Sequence, residues 1–435
     1  MNKQVHSKKE HDLIAIADRV LPGGSFGNLA FQTVISRGSG SRVWDESGNE
    51  YVDYLLGSGP MLIGHAHPEV VAAVQAQVVN GTTFFAHNRQ GILLAEAIVD
   101  AVPCADQVRF VSSGTEADFY AMRLARAFRK RDKILKFEGG YHGMSDYGLM
   151  SLAPKRESSF PEAIPDSPGI PQSVRDEVLV APYNDIKVAV DLIHRHHDEL
   201  GGVIVEPFQR LLQPVPGFLE ALREVTSMYG IPLIFDEVVT GFRFAYGGAQ
   251  EYYGITPDIC TLGKVCGGGF PLAAIAGRAD IMAHFDRSKV GDEGFLTQIG
   301  TLSGNPVAAT AGLATLNVLK QPGAYDRFFA IGRKLIEDLS VQLQKSGLHA
   351  QVVGSSSIFD VVFTEGEIKN YRDMLRGDAW LSKRFNTLVR SRGIFKTDNK
   401  YYTSFAHTAE DIHFTRDAWS SAIDELIHDN KSRIA

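Results

Sequence analysis

The chain has 435 residues, 44% of them apolar and 22% charged, with a net charge of −7 and three cysteines. That composition excludes a disordered chain, lacks the basic surplus of a nucleic-acid binder, and gives neither a disulfide framework nor a CxxC metal pattern. At this length we expect a large domain with a smaller one attached.

In chain order, the N-terminal stretch is charged and has no long apolar core, so the expected location is the cytoplasm. Next, RGSGSRVWDESGNEYVDYLLG reads as an antiparallel meander around Val34, Val43 and Tyr51. From residue 107 a different plan sets in, with short apolar runs that end in polar or glycine residues and then lead into helix-like stretches. QVRFVSSGTEADFYAMRLARAF, DKILKFEGGYHG, GGVIVEPF, IPLIFDEV, DICTLGK and LAAIAG all follow it. This alternation predicts an α/β fold with a mostly parallel sheet between helices, whose ligands gather at the carboxyl ends of the strands. PVAATAGLATLNVLK then reads as a helix leading to a mixed C-terminal part. The expected domains are 1–60 as an N-terminal segment of a small α+β domain, 61–315 as the large domain, and 316–435 as the rest of the small one.

The chemistry clusters at those strand ends. Ser112-Ser113-Gly114-Thr115-Glu116 joins a strand to a helix, where backbone N–H groups and the Thr115 hydroxyl can meet a phosphate; the same residues also make an ordinary capping box. Tyr141 and His142 follow a strand and can offer a ring to a flat heterocycle. Asp236 ends an apolar run, where a buried acid needs a cation such as a pyridinium N–H, or else an ion pair with Arg243; Val238 shares its face. Lys264 ends the next run at a glycine-rich turn, where an amine can form an imine with an aldehyde cofactor. Lys264 and Asp236 together read as a pyridoxal phosphate site. His65 and His67, like His194, His196 and His197, have no carboxylate or cysteine at ligand spacing, so no metal is expected.

With these motifs in order, from LPGG through GPMLIGHAHPEV, RFVSSGTEA, KFEGGYHG, PDSPGIP, VIVEP, FDEVVTGFR, TLGK and GTLSGNP to FAHTAEDI, the chain resembles the class III aminotransferases of pyridoxal phosphate fold type I. Within them it is most similar to glutamate-1-semialdehyde 2,1-aminomutase and its aminotransferase relatives. The resemblance implies that Lys264 carries the internal aldimine and Asp236 binds the pyridine nitrogen. Val238 and Tyr141 would flank the ring, Ser113, Gly114 and Thr115 would hold the phosphate, and His142 and Glu206 would join the cofactor contacts. It also implies a homodimer in which Thr301 reaches the neighbouring phosphate.

Substrate-facing positions depart from the aminomutase. No arginine stands in SFGNLAFQTVISRG at the matching place, and Ser58 replaces a tryptophan. Leu211 replaces an asparagine, and about Asn399 stands where a glutamate belongs. An aminomutase must retain its intermediate in a dedicated cage, so these departures favour transamination from an amine or amino acid donor to a carbonyl acceptor through pyridoxamine phosphate. The alternative is the aminomutase reaction itself. Arg89 and Arg210 are the candidates to meet a substrate carboxylate.

Overall fold

The computed structural model describes residues 7–29 and 31–434 and divides the chain into two compact units. The first comprises Met1–Pro68, Gly323–Gly366 and Arg376–Ala435; the second comprises Glu69–Pro322 and Glu367–Leu375.

In the first unit β1 (Ile35–Ser39), β2 (Arg42–Asp45) and β3 (Glu50–Asp53) form the antiparallel meander that the turn residues predict. The second unit holds β4 (Gln107–Val111), β5 (Lys133–Phe137), β6 (Val178–Ala181), β7 (Leu200–Val205), β8 (Leu233–Glu237), β9 (Ile259–Leu262) and β10 (Ala273–Gly277). These make one seven-stranded sheet in the order β4-β10-β9-β8-β7-β5-β6. The pairs from β9 across to β6 are parallel, whereas β10 runs antiparallel to both β9 and β4. The LAAIAG run is therefore a reversed strand rather than another copy of the parallel plan, and its carboxyl end points away from those of its neighbours.

Strands buried on both faces need continuous apolar runs, and β6, β7, β8 and β9 are buried at every position. The helix Gly114–Arg129 lies across one face, where Ala117, Ala121, Leu124 and Ala125 join Ile134, Ile204, Ile234, Ile259 and Ile275 in one core. Small residues on the helix let it sit close to the isoleucine-rich sheet.

The chain returns to the first unit as β11 (Gln351–Ser355), β12 (Ile358–Val362), β13 (Ile394–Phe395) and β14 (Tyr401–Tyr402). β13 joins the meander beside β3, and β12 lies between β11 and β14. The helix Ala324–Ser346 sends Leu335, Leu339 and Leu343, one turn apart, into a core with Phe359, Trp419 and Leu426. Trp419 Nε1 donates to the Tyr401 hydroxyl at 2.9 Å, satisfying the polar edge of the largest buried ring. Among the described residues no helix is long and apolar enough to cross a membrane.

Candidate active site

Asp236 lies one residue before the end of β8 and is 4% exposed. In the register of β8 on β9 it stands opposite Thr261, and the main chain runs from there to Lys264. The two oxygens of Asp236 are engaged from several sides. His142 Nδ1 lies 2.8 Å from Oδ2, and the Val238 N–H donates to Oδ1 at 3.1 Å. A carboxylate only accepts, so the His142 proton facing it is on Nδ1. The Thr261 hydroxyl lies 2.7 Å from Asp118 Oδ1 and 3.4 Å from Asp236 Oδ1, so its proton goes to Asp118.

Asp118 projects from the first turns of the Gly114–Arg129 helix and is buried. Burial, followed by the charge of Asp236, pushes its pKa well above the usual carboxylate range. Burial and the neighbouring Asp236 carboxylate thus both disfavour charge on Asp118. One ligand-capable atom from each of Asp118, His142 and Asp236 falls within 4.8 Å of the others, the donor chemistry of a divalent-cation site. The His142 Nδ1 proton is directed at Asp236 and the Thr261 hydroxyl at Asp118, so a hydrogen-bonded chain already links these groups.

Lys264 begins a short 3-10 turn after β9 with φ +49°, a left-handed backbone that a lysine adopts only under constraint. The constraint is packing. The helix Pro306–Leu319 lies against this turn, where a Cβ on Gly312 would collide with the Cys266 carbonyl and one on Gly268 would stand 2.5 Å from the Ala311 carbonyl. Gly268 therefore serves helix packing, a use that the glycine-rich turn did not reveal in the sequence. Lys264 is half-buried, and its Nζ forms no hydrogen bond or ion pair with the described residues. An acid anchored by two hydrogen bonds and an amine without a partner among the described residues stand at neighbouring strand ends.

At the end of β4, Ser113 and Glu116 form a reciprocal capping box. The Ser113 hydroxyl accepts the Glu116 N–H at 3.2 Å, while Glu116 accepts the N–H groups of Ser112 and Ser113 at 2.6 and 3.2 Å. The N–H groups of Gly114 and Thr115 have no acceptor among the described residues. The Thr115 hydroxyl accepts the Met144 N–H at 3.2 Å, leaving its proton to donate. Two main-chain donors and at least one hydroxyl thus converge at a helix N-terminus, which suits a phosphate.

Glycines let the backbone close in around Val238: a Cβ on Gly114 would lie 2.9 Å from its Cγ1, and one on Gly263 3.1 Å from it. Tyr141 follows β5 and is held by its N–H, which donates to the buried Glu206 at 2.8 Å. Its hydroxyl pKa is raised by burial, against the opposing pull of Arg210. Inside this arrangement the buried His142 Nε2 has no partner. An anion cradle, an aliphatic side chain packed among glycines, a buried acid at a strand end and a free amine match the parts of pyridoxal phosphate, so the residues fit that group.

The remaining sequence candidates separate. Arg210 lies in the loop after β7, with Nε donating to the Gly139 carbonyl at 3.1 Å and its guanidinium 5.4 Å from the centre of the Tyr141 ring. Its own backbone is left-handed, at φ +62°. Arg89 is exposed at the start of the Arg89–Ala101 helix. Ser58 belongs to the first unit, in an exposed turn with φ +67°. Leu211 is buried and Asn399 exposed. Thr301 is exposed on a loop that borders an open groove of about 650 Å³, beside Phe84, Phe85 and Asn305. Of the histidines, His65 pairs with Asp53 at 2.6 Å, His194 with the Tyr229 hydroxyl at 2.8 Å, and His196 with Glu199 at 3.0 Å. The three cysteines are free and buried. Sequence reasoning missed Asp118 and Thr261, although an acid between Ala117 and Ala121 on an apolar helix face is itself a signal of a buried partner.

Comparison with known proteins bears on these parts together. The sequence profile described as aminotransferase class-III matches residues 25–399. An omega-transaminase from Sphaerobacter thermophilus is 36% identical with a TM-score of 0.91, over 96% of this chain and 97% of that one. A transaminase with PLP bound is 30% identical with a TM-score of 0.89, over 98% and 100%. A glutamate-1-semialdehyde-aminomutase from Pseudomonas aeruginosa PAO1 shares the fold at a TM-score of 0.86 over 96% and 94%, with 23% identity.

Proposed function

This chain belongs to the class III aminotransferases, PLP-dependent enzymes that move an amino group from an amine or amino acid to a carbonyl acceptor, and from that premise we propose the roles of its residues. The observation that carries the assignment is the pairing of an Asp236 anchored by His142 and the Val238 N–H with an unpartnered Lys264 at the ends of adjacent strands. Bound PLP supplies an electron sink for the carbanion chemistry at the donor carbon. The protein's part is to hold, orient and move protons.

Lys264 Nζ is the group that would hold the cofactor and, once free, would move a proton from the donor carbon to the cofactor carbon it had held. Asp236, held by His142 and the Val238 N–H, would keep an anion against the pyridine nitrogen. Ser113, Gly114 and Thr115 would anchor the phosphate, and Val238 and Tyr141 would flank the ring. Glu206 fixes Tyr141 by its main chain.

Arg210 keeps guanidinium N–H groups beyond the one given to Gly139, and we assign it to a substrate carboxylate; Arg89 and Ser58 are lesser candidates for contact with substrate. The exposed apolar side chains of Phe84, Phe85, Ile92, Ile299 and Leu302 support a homodimer across the face that carries Thr301, with Thr301 serving the neighbouring phosphate. The cytoplasm is the proposed location.

The test is chemical. Borohydride reduction of the PLP-loaded protein, followed by peptide mass spectrometry, should place the cofactor's mass on Lys264. Incubation with a panel of amines should give pyridoxamine phosphate and a matching carbonyl compound. Labelling of another lysine, or 5-aminolevulinate formed from glutamate-1-semialdehyde without a co-substrate, would overturn the reading.

A further inference from the structure

Residues Glu367–Leu375 fold with the second unit although the chain on both sides of them belongs to the first. The Asp373 carboxylate accepts the N–H groups of Lys369 and Asn370 at 3.0 and 3.2 Å, closing a turn that leads into the helix Tyr371–Leu375. The Lys369 carbonyl accepts from Asn184 Nδ2 at 2.9 Å.

From this turn Arg372 reaches Glu138 with both arms of its fork, Nε to Oε2 at 2.7 Å and Nη2 to Oε1 at 3.0 Å. Nη2 also donates to the Ser158 carbonyl at 2.8 Å, and the guanidinium lies 4.4 Å from the centre of the Phe160 ring. Glu138 is 3% exposed and immediately precedes Gly139-Gly140-Tyr141-His142. Tyr371 fills the space that a Cβ on Gly139 would need, at 2.7 Å.

The loop is tethered along its length. The Glu138 carbonyl accepts from Gln209 Nε2 at 2.8 Å, and the Gly139 N–H donates to the Ser151 carbonyl at 2.8 Å. The Gly139 carbonyl accepts from Arg210, and the Tyr141 N–H donates to Glu206. Those four ties come from within the 138–210 stretch. The Glu138 side chain is instead held by hydrogen bonds from a segment 234 residues away, the same segment whose Tyr371 packs on Gly139.

We propose that Glu367–Leu375 is a strap and Arg372 a positioning residue for transamination. Its bidentate pair with Glu138 fixes the loop so that the Tyr141 ring and the His142 imidazole stand in register with the cofactor and Asp236. The proposal rests on the reading that Tyr141 and His142 line the cofactor. Geometry makes arginine specific here, because a lysine offers one point charge where the carboxylate is met by a planar fork.

Three variants test it: Arg372→Met, Arg372→Lys, and Arg372→Met combined with Glu138→Gln. The readouts are PLP dissociation constant, circular dichroism of the bound cofactor, hydrogen exchange of residues 138–144 in the apoprotein, and Tm. Arg372→Met should weaken PLP binding about tenfold, the scale of losing hydrogen bonds to a charged group. It should also diminish the cofactor's dichroic band and speed exchange at 138–144, with Arg372→Lys falling between it and wild type. The double variant, which leaves no buried charge unpaired, should regain Tm but not the dichroic band or the affinity. A fall in Tm alone, with affinity, dichroism and exchange unchanged, would sink the strap, as would a double variant that restores all four. Wild-type borohydride labelling separates the failures: a label on Lys264 with an indifferent Arg372→Met removes only the strap, whereas no label on Lys264 removes the underlying reading with it.

Discussion

The carboxyl ends of β8 and β9 lie side by side and are built in opposite ways. At the β8 end Asp236 is held by an imidazole and a main-chain N–H, beside an acid whose pKa burial pushes upward. At the β9 end Lys264 has a strained backbone locked by helix packing and a side chain with no partner among the described residues. Both ends spend packing energy, but one spends it to immobilise a charge and the other to immobilise only the base of a flexible arm. A group that stays put throughout a reaction can be over-determined; a group that must attach, release and carry protons cannot.

The contrast can be broken from either side. Lys264→Ala should have the largest effect, lowering the rate of amino transfer by about 10³-fold or more while leaving the fold intact, as judged by an unchanged Tm of the apoprotein. Wild-type turnover in the absence of added amines would refute the role of Lys264. Asp236→Asn removes the anion but keeps a side chain of the same size. We expect kcat to fall about 10²-fold with a smaller change in KM, measured by steady-state kinetics. Equal loss in both variants would mean that the two strand ends act as one unit rather than as fixed and mobile halves.

Gly114→Val tests the space between them, because its side chain must enter the volume of Val238. PLP affinity should drop about tenfold in a titration, with little change in the pH profile.

The smallest expected effect sharpens the picture of the fixed half. The folded-state pKa of Asp118 is raised, so above its unfolded value of about 4 the native state binds more protons than the unfolded chain, and its stability relative to a non-titrating side chain falls as pH rises. Asp118→Asn keeps an oxygen for Thr261 and removes that cost. The variant should match wild-type stability near pH 4 and exceed it by a margin that widens as pH rises toward 7 in denaturant melts of the apoprotein. A gap that shrinks with rising pH would show that Asp118 is charged in the fold.

Much of the architecture was legible in the sequence because parallel strands buried on both faces must be continuous apolar runs. Polar residues at the ends of those runs were therefore conspicuous, Asp236 after Phe235 and Lys264 after Leu262-Gly263. The direction of β10 was not legible, because an apolar run looks alike whichever way it enters a sheet. Neither was the reason for Gly268, whose neighbour Ala311 is brought up by a helix that follows much later in the chain.

The sequence by itself determined which chemistry was available: an amine, an acid, a helix N-terminus rich in free donors, and the glycines that let them approach. Tertiary structure alone decided how each polar group would be satisfied. It set Asp118 against Thr261 and Asp236, gave Glu138 an arginine from a segment 234 residues away, and left the Lys264 amine without a partner among the described residues. The physical reason is that a charge's protonation and mobility depend on the few ångströms around it, and those neighbours are assembled by sheet order and helix packing rather than by proximity along the chain.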